Sequence, residues 1–504
     1  MDKVLYKPNL KNSDFNFLMA YPEEEAFALS SLGYMWLYKI ADSAEGINTA
    51  RISKDLPSFP FKKTDAVAFS LSFDFDFMGV FKILEQNKIP LLSGQRNNQM
   101  PLVFAGGPVI TTNPRPYDDI FDFMIIGDGE DIFTEVLEVL KYNKNKPECL
   151  NKLSKIDGIY IPKITKKVKK RTSELNNVIY TPIISDKSYF KNTFIVELQR
   201  GCMNRCAFCT ASYLNLPFRH YPYEKIIESI NNGLKYTDKI ALLGAQISAH
   251  PDFNKIISYL KDKMESGTNI ELGISSLRTD SITSELVQTL VMGGQKTSTI
   301  AIEAATERLR KFVNKNLSDE QIFKAAELCK KNGLKGLKIY SIIGLPTETD
   351  EDIRAFIELA QKLKEKNKGL DITFSFSSFV PKPQTPFERE KREDTKSLEK
   401  KQKFLEKEFS KIGISTKFSS IKWDYWQTLL SRGGSELGKF MIEVYKKGGR
   451  NGAYKSAVKE LGINISAPIK GYAIEETLPW NVIENYTSSE QLCNEYKRLQ
   501  KYDQ

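Results

Sequence analysis

The chain has 504 residues, 41% of them hydrophobic and 27% charged, with a formal net charge of +10. That length exceeds what one hydrophobic core fills, so two or three domains are expected, and the composition excludes a disordered or collagen-like protein. Six cysteines, of which Cys149, Cys329 and Cys493 stand alone, exclude a disulfide scaffold and point to the reducing cytoplasm. Residues 1–12 lack the apolar core of a signal peptide, and no apolar run of about 18 residues occurs, so no membrane span is expected. With only His220 and His250 present, most histidine-based catalytic schemes fall away. The basic excess is spread over helix faces and reads as a Lys-rich surface rather than a nucleic-acid footprint.

In chain order, residues 15–21, 66–72, 102–105 and 123–126 read as buried strands, and 25–41 and 130–140 as helices. Apolar runs of this length between helices predict a Rossmann-like parallel sheet over residues 1–145. Gly106-Gly107 and Gly127-Asp128-Gly129 directly follow two of its strands. They sit where open sheets bind ligands, although a lone Gly-Gly is equally well a tight turn. Residues 146–190 read as a linker with a short strand at 158–162, a basic run at 166–171 and a second strand near 178–184.

From 191 to 411 the pattern is regular. Strands are predicted at 194–198, 240–243, 270–274, 298–302, 337–343 and 372–376. Helices are predicted at 224–234, 252–264, 281–292, 319–332, 350–364 and 396–411. Ser318 with Gln321 forms a capping box, and Gly333 closes the same helix. Six βα units in series predict a partial (β/α)6 barrel with its functional residues at the carboxyl ends of the strands. Residues 412–504 lack this rhythm. They read as a small, mostly helical C-terminal domain that caps the barrel or, alternatively, touches substrate.

Cys202, Cys206 and Cys209 fall within eight residues, just after the first barrel strand. This C-x3-C-x2-C loop offers three thiolates and no fourth. Iron–sulfur clusters are usually held by four, so three leave one iron position open for a substrate or cofactor. A Cys3His zinc site with His220 is the competing ligand set and goes with a non-catalytic binding protein. Cys329, at helical spacing from Ile322, Ala325 and Ala326, reads as core.

The cysteine loop, with Phe208 before its last cysteine, resembles the signature of the radical S-adenosylmethionine (radical SAM) superfamily. Gly244-Ala245-Gln246 resembles the family's Gly-Gly-Glu turn, with an uncharged Gln246 in the acidic position. Ser275-Ser276-Leu277-Arg278 follows the third strand, where relatives place polar contacts. Glu303-Ala304-Ala305 resembles the family's Glu-x-Gly-Ser segment near the ribose, and Arg308 lies just beyond, in reach of the cofactor's carboxylate. Gly344-Leu345-Pro346 resembles the fifth-strand turn, where backbone near Ile343 meets adenine. Residues 380–386 resemble the Pro-rich exit of the methylthiotransferase-like branch. The resemblance implies a 4Fe-4S cluster on Cys202, Cys206 and Cys209. It implies S-adenosylmethionine contacts from Phe208, Gly244, Ala245, Gln246, Ser276, Arg278, Glu303, Arg308 and Ile343. It also implies reductive cleavage to a 5′-deoxyadenosyl radical and an electron donor such as flavodoxin or ferredoxin as partner.

The N-terminal domain resembles the cobalamin-binding domain often fused to such barrels. The resemblance implies cobalamin contacts from Ser70, Ser72, Gly106, Gly107, Gly127 and Glu130. No histidine precedes His220, so this domain gives cobalt no lower imidazole. The expectation is cobalamin-dependent methyl transfer to an unactivated carbon of an unknown substrate. The alternative is an RNA-modifying, methylthiotransferase-like reaction without cobalamin. It is disfavoured because such enzymes need a second three-cysteine cluster, and Cys149 is the only cysteine among the first 200 residues.

Overall fold

The computed structural model describes residues 2–9, 12–143 and 145–503. The N-terminal sheet contains β1 (Asn16–Tyr21), β2 (Asn48–Ser53), β3 (Ala66–Ser70), β4 (Leu102–Gly106), β5 (Phe123–Ile125) and β6 (Ile159–Tyr160). Their spatial order is β2-β1-β3-β4-β5-β6, all parallel except β6. The inner strands are apolar at successive positions because both faces are covered. Phe17, Met19, Ala68 and Phe104 pack on one side with Tyr34, Phe133 and Val136. Leu18, Val67, Phe69 and Val103 pack on the other.

Three features differ from the sequence expectation. The helix expected over 25–41 is broken into Glu25–Ala28 and Leu32–Ser43, with Ser31 at the second N-cap position and Ser30 Oγ donating to Ala26 O. Serine side chains that bond nearby backbone favour such breaks. The edge strand β2, Asn-Thr-Ala-Arg-Ile-Ser, carries too little apolar pattern to be read as a strand. The helices Ile421–Arg432, Leu437–Lys446 and Asn451–Leu461 do more than meet the barrel, which the first touches where Ile421 joins the barrel core and Asp424 accepts from Ser378 Oγ. Trp426, Leu429, Phe440, Met441 and Tyr454 enter one core with Phe69, Phe77, Phe81 and Ile110, as the second layer of the N-terminal sheet. Asn113 Nδ2 fastens them by donating to Ser431 O at 3.1 Å and Gly433 O at 2.9 Å.

The second sheet system contains β7 (Thr193–Arg200), β8 (Lys239–Gly244), β9 (Glu271–Ile274), β10 (Thr297–Glu303), β11 (Gly336–Ile343), β12 (Asp371–Ser378) and β13 (Ser415–Phe418). β7-β8-β9 and β10-β11-β12-β13 are two parallel groups, and the short strand Ser276–Leu277, just past β9, pairs with β10. The six expected βα units are present. β13 adds a seventh parallel strand inside a segment expected to be helical. Among the described residues no strand pairing joins β13 to β7.

Outward-facing Val196, Leu198, Ile240, Leu242, Ile300, Leu337, Ile339, Phe374 and Phe376 pack beneath the helices. The alternate residues face a lumen that is not filled: Leu243 and Tyr340 are each 39% exposed. Among the described residues no helix is long and apolar enough to cross a membrane.

Candidate functional site

The cysteine loop leaves β7 through Gly201, whose φ is 80°. An added Cβ there would lie 2.7 Å from Asn215 O, so only glycine makes this turn without strain. The loop is then pinned from several elements. Asn314 Nδ2 donates to Asn204 O and Arg205 O at 3.0 and 2.9 Å, and Ala207 N donates to Val313 O at 3.0 Å. Tyr213 OH donates to Arg205 O at 2.8 Å. Lys170, a buried residue of the linker, donates to Leu214 O and Leu216 O.

Cys202 Sγ lies 3.3 Å from Gln246 Oε1 and accepts from Asn204 Nδ2 at 3.4 Å. Burial pushes the Cys206 thiol up to about 12 and also raises that of Cys209. Such thiols are poor nucleophiles by themselves. A bound cation reverses this, because metal coordination draws off the proton.

Buried polar atoms without partners include both amide atoms of Gln199, beside the Gly244 turn, and Arg278 Nη1, whose Nη2 bonds Lys315 O. Buried polar groups are nearly always paired, so these orphans fit a site for a polar ligand. The donor set therefore suits an iron–sulfur cluster and a polar cofactor beside it. The zinc alternative needs His220 as its fourth ligand. His220 is exposed, with its ring 5.0 Å from that of His250.

Gly244, Ala245 and Gln246 form the turn after β8, and Ser276 is exposed beyond β9. Phe208 packs half-buried beside Ala304 and Phe312. Ile343 closes β11, and its carbonyl accepts from Phe379 N at 2.8 Å. Glu303 closes β10 with φ 66° and accepts from Lys315 Nζ at 2.8 Å, both residues being buried. Burial alone lowers the Lys315 pKa, but Glu303 and then Cys206 outweigh it and leave it raised. Arg278 Nη2 donates to Lys315 O at 2.8 Å.

Arg308 is not among these groups. Its guanidinium donates to Thr347 O at 3.0 Å and pairs with Asp352 at the start of the next helix. Lys315 is the cation beside the cysteines. It sits in Asn314-Lys315-Asn316, which carries no motif, so sequence reasoning missed it. Gln199 was missed too, although its place three residues before Cys202 was a usable signal.

A cavity of about 340 Å³ opens at the carboxyl ends of β3, β4 and β5. Ser70, Ser72, Gly106, Gly107, Gly127 and Glu130 all line it, over an apolar floor of Met19, Ala68, Phe104 and Ile125. The barrel side adds Glu197, Arg200, Leu214 and Asn215 to its wall. Gly107 and Gly127 have positive φ, and a Cβ on them would lie 2.5 Å from Leu71 O and 2.1 Å from Arg171 O. These two glycines thus serve close backbone crossings.

Charges ring the mouth of the cavity. Arg200 pairs with Glu130, with Glu197 at 3.0 Å and with Asp128 at 3.4 Å, while Arg219 holds Asp128 at 2.8 Å. Burial pushes the Asp128 carboxyl up, but Arg200 and Arg219 outweigh it and hold it below its ordinary value.

A model of the N-terminal region of radical SAM proteins matches residues 48–162, and the radical SAM superfamily model matches residues 196–360. An uncharacterized protein of Methanocaldococcus jannaschii is 31% identical over 389 residues, which are 75% of this chain and 80% of the relative. An uncharacterized methyltransferase of Pyrococcus horikoshii is 27% identical over 277 residues, 53% of this chain and 59% of the relative. Among solved structures, the fold resembles the radical SAM methyltransferase TsrM of Kitasatospora setae with cobalamin and a 4Fe-4S cluster bound. That likeness has a TM-score of 0.53 and 14% identity, and covers 74% of each chain. It also resembles the cobalamin-dependent radical enzyme OxsB, with TM-score 0.54 and 14% identity, over 89% of this chain and 71% of that one. At that identity the two structures speak for the fold alone.

The family matches overturn the non-catalytic zinc-protein reading. The chain belongs to the radical SAM superfamily, as an enzyme that uses a 4Fe-4S cluster and S-adenosylmethionine.

Proposed function

We propose that Cys202, Cys206 and Cys209 hold the cluster and that the interdomain cavity holds cobalamin, for methyl transfer to an unactivated carbon. When bound, the cluster supplies the electron that cleaves S-adenosylmethionine, and cobalamin supplies a transferable methyl group. The observation that carries the proposal is the cavity itself. Its N-terminal half is made of strand-end serines and glycines, and its other half of Arg200, Leu214 and Asn215 around the cysteine loop. A ligand there touches both domains.

The chain's own residues have distinct tasks. Gln199, Gln246 and Ser276 offer hydrogen-bonding groups to the amino end of S-adenosylmethionine and to its ribose. Lys315, in place of Arg308, faces its carboxylate, while Glu303 holds the Lys315 ammonium in position. Phe208 and the buried flank of Cys206 keep water from the reacting carbon. In the cavity, the apolar floor suits a planar heteroaromatic group, and 340 Å³ matches one end of cobalamin rather than the whole molecule. The cobalamin described in both similar folds, and the methyltransferase naming of the Pyrococcus relative, support the reading.

Gly33 lines the cavity, and nothing lies within 4 Å of a Cβ added to it, so a larger side chain there fills the space without a backbone clash. Anaerobic purification from cells supplied with hydroxocobalamin should give a cobalt-loaded protein, and Gly33→Phe should lose the cobalt while keeping its iron. A wild-type protein that cleaves S-adenosylmethionine but retains no cobalt would remove the cobalamin step.

A further inference from the structure

We infer that the lumen face of β10–β13 seats an oxyanion of the substrate, with Lys338, Lys417 and Tyr340 as its recognition residues. The inference rests on the radical chemistry proposed at the carboxyl ends of the same strands.

Register defines the surface. One row across the sheet is Thr299, Lys338, Thr373 and Ser415, and the next is Ala301, Tyr340, Ser375 and Lys417. Registered neighbours point to the same side of a sheet. The opposite side is accounted for, because Leu337, Ile339, Phe374 and Phe376 lie in the core beneath the helices. The two rows therefore present aliphatic hydroxyls, one phenol, two ammonium groups and a methyl to the lumen, and no carboxylate.

Among the described residues the cations in these rows carry no ion pair. Lys338 Nζ donates to Tyr340 OH at 3.1 Å and lies 4.6 Å from the centre of that ring. Among the described residues, neither Lys338 nor Lys417 has a carboxylate within ion-pair distance. Asp371, two residues before Thr373 and in register with Gly336, stands on the same face one row nearer the amino ends of the strands, while Glu271 pairs with Lys239 at 2.8 Å and Glu303 pairs with Lys315. A surface with an excess of one sign of charge concentrates ligands of the other sign. Hydroxyl and ammonium donors in adjoining rows match the several acceptor sites of a phosphate or carboxylate.

Depth sets the reach. Tyr340 and Lys338 precede Ile343, the end of β11, by three and five residues. At about 3.3 Å per residue these are about 10 and about 16 Å below the cofactor end. The substrate class is therefore an elongated organic anion whose acidic group is held in the lumen while a distant carbon meets the radical.

The test is calorimetric titration of anaerobically reconstituted full-length protein with phenyl phosphate, benzoate and neutral benzamide, with and without saturating S-adenosylmethionine. At least one anion should bind at least tenfold tighter than benzamide, in either condition. The tighter anion identifies the acidic group as phosphate or carboxylate. Lys338→Met and Lys417→Met should each weaken that anion by about tenfold, and Lys338→Arg should restore part of the loss. Iron content and melting midpoint report that each variant is folded. Equal binding of anions and benzamide, no binding of any probe, or Lys338→Met without effect would overturn the inference. So would binding abolished by S-adenosylmethionine, which would place the anion in the cofactor's own subsite. Failure of the wild-type protein to cleave S-adenosylmethionine would instead strike the radical reading and leave the anion result standing.

Discussion

In the N-terminal sheet, β1 and β3 bury every position but one between two helical layers, whereas β12 of the barrel buries only alternate positions. Both are parallel sheets whose strands end in ligand-suited turns, yet they leave room in different places. A sheet covered on both faces admits a ligand only at its strand ends, and there the cavity of Ser70, Gly106 and Gly127 lies. A sheet covered on one face admits a ligand along its length, as the half-exposed Tyr340 shows. Arg200 closes β7, precedes the cysteine loop, lines the cavity and pairs with Glu130 of the other domain.

The largest effects are expected at the cysteines. Cys202→Ser, Cys206→Ser and Cys209→Ser should each reduce iron from about four per chain to near zero and abolish cleavage of S-adenosylmethionine. Cys493→Ser, outside the loop, should keep both. Retained iron and activity in any of the three loop variants would refute the ligand assignment.

At the strand-end site, Gly33→Phe should remove cobalt alone, as measured by metal analysis. The claim that both faces of the N-terminal sheet are covered is sharpened by Trp426→Ala. Trp426 is 4% exposed in the core shared with that sheet. Its truncation should cost about 3–5 kcal/mol in denaturant unfolding. A loss below about 1 kcal/mol would mean that the C-terminal helices are not a layer of the sheet.

Smaller effects separate two cations. Lys315→Met should weaken S-adenosylmethionine binding about tenfold, since removing a charged hydrogen-bond partner costs about 1.5–3 kcal/mol. Arg308→Met should leave that affinity within about twofold and lower the melting midpoint instead, through loss of its bonds to Asp352 and Thr347. The reverse pattern would return the carboxylate role to Arg308.

The smallest effect concerns pH. Burial holds the Glu348 carboxyl at about 7, above its ordinary 4.5, even with Lys401 at 2.7 Å. An acid raised in the folded state contributes stability that is full below its ordinary pKa and is lost as pH rises through the folded value. Between pH 5 and 8, wild type should therefore lose stability relative to Glu348→Gln, and parallel stability curves would argue against the raised carboxyl.

Much of this was legible from residue patterns. Continuous apolar runs marked β1, β3, β4 and β5, the regular series of strand and helix patterns marked the barrel, and the cysteine spacing marked the loop. Gly106 and Gly127 were marked by following strands and Ser70 and Glu130 by the resemblance to cobalamin-binding domains, and the fold gathers all four around one cavity. What the pattern missed depends on tertiary partners. β2 and β13 are polar edge strands that register alone makes visible. The helices from 421 to 461 are amphipathic, and nothing local says which sheet they cover. Lys315 and Lys338 are ordinary lysines in the sequence, and their meaning comes from Glu303 and Cys206 for one and from the lumen rows for the other. Arg308 shows the converse. Its position in a family-like segment suggested a cofactor contact, and in the structure its guanidinium is paired with Asp352.

The most direct measurement is the metal content of wild type, Gly33→Phe and Cys206→Ser, all purified anaerobically from cells supplied with hydroxocobalamin. Two independent sites give about four irons and about one cobalt in the wild type, iron without cobalt in Gly33→Phe, and cobalt without iron in Cys206→Ser. A wild-type protein with iron and no cobalt, or cobalt that persists in Gly33→Phe, would contradict the placement of cobalamin in the interdomain cavity.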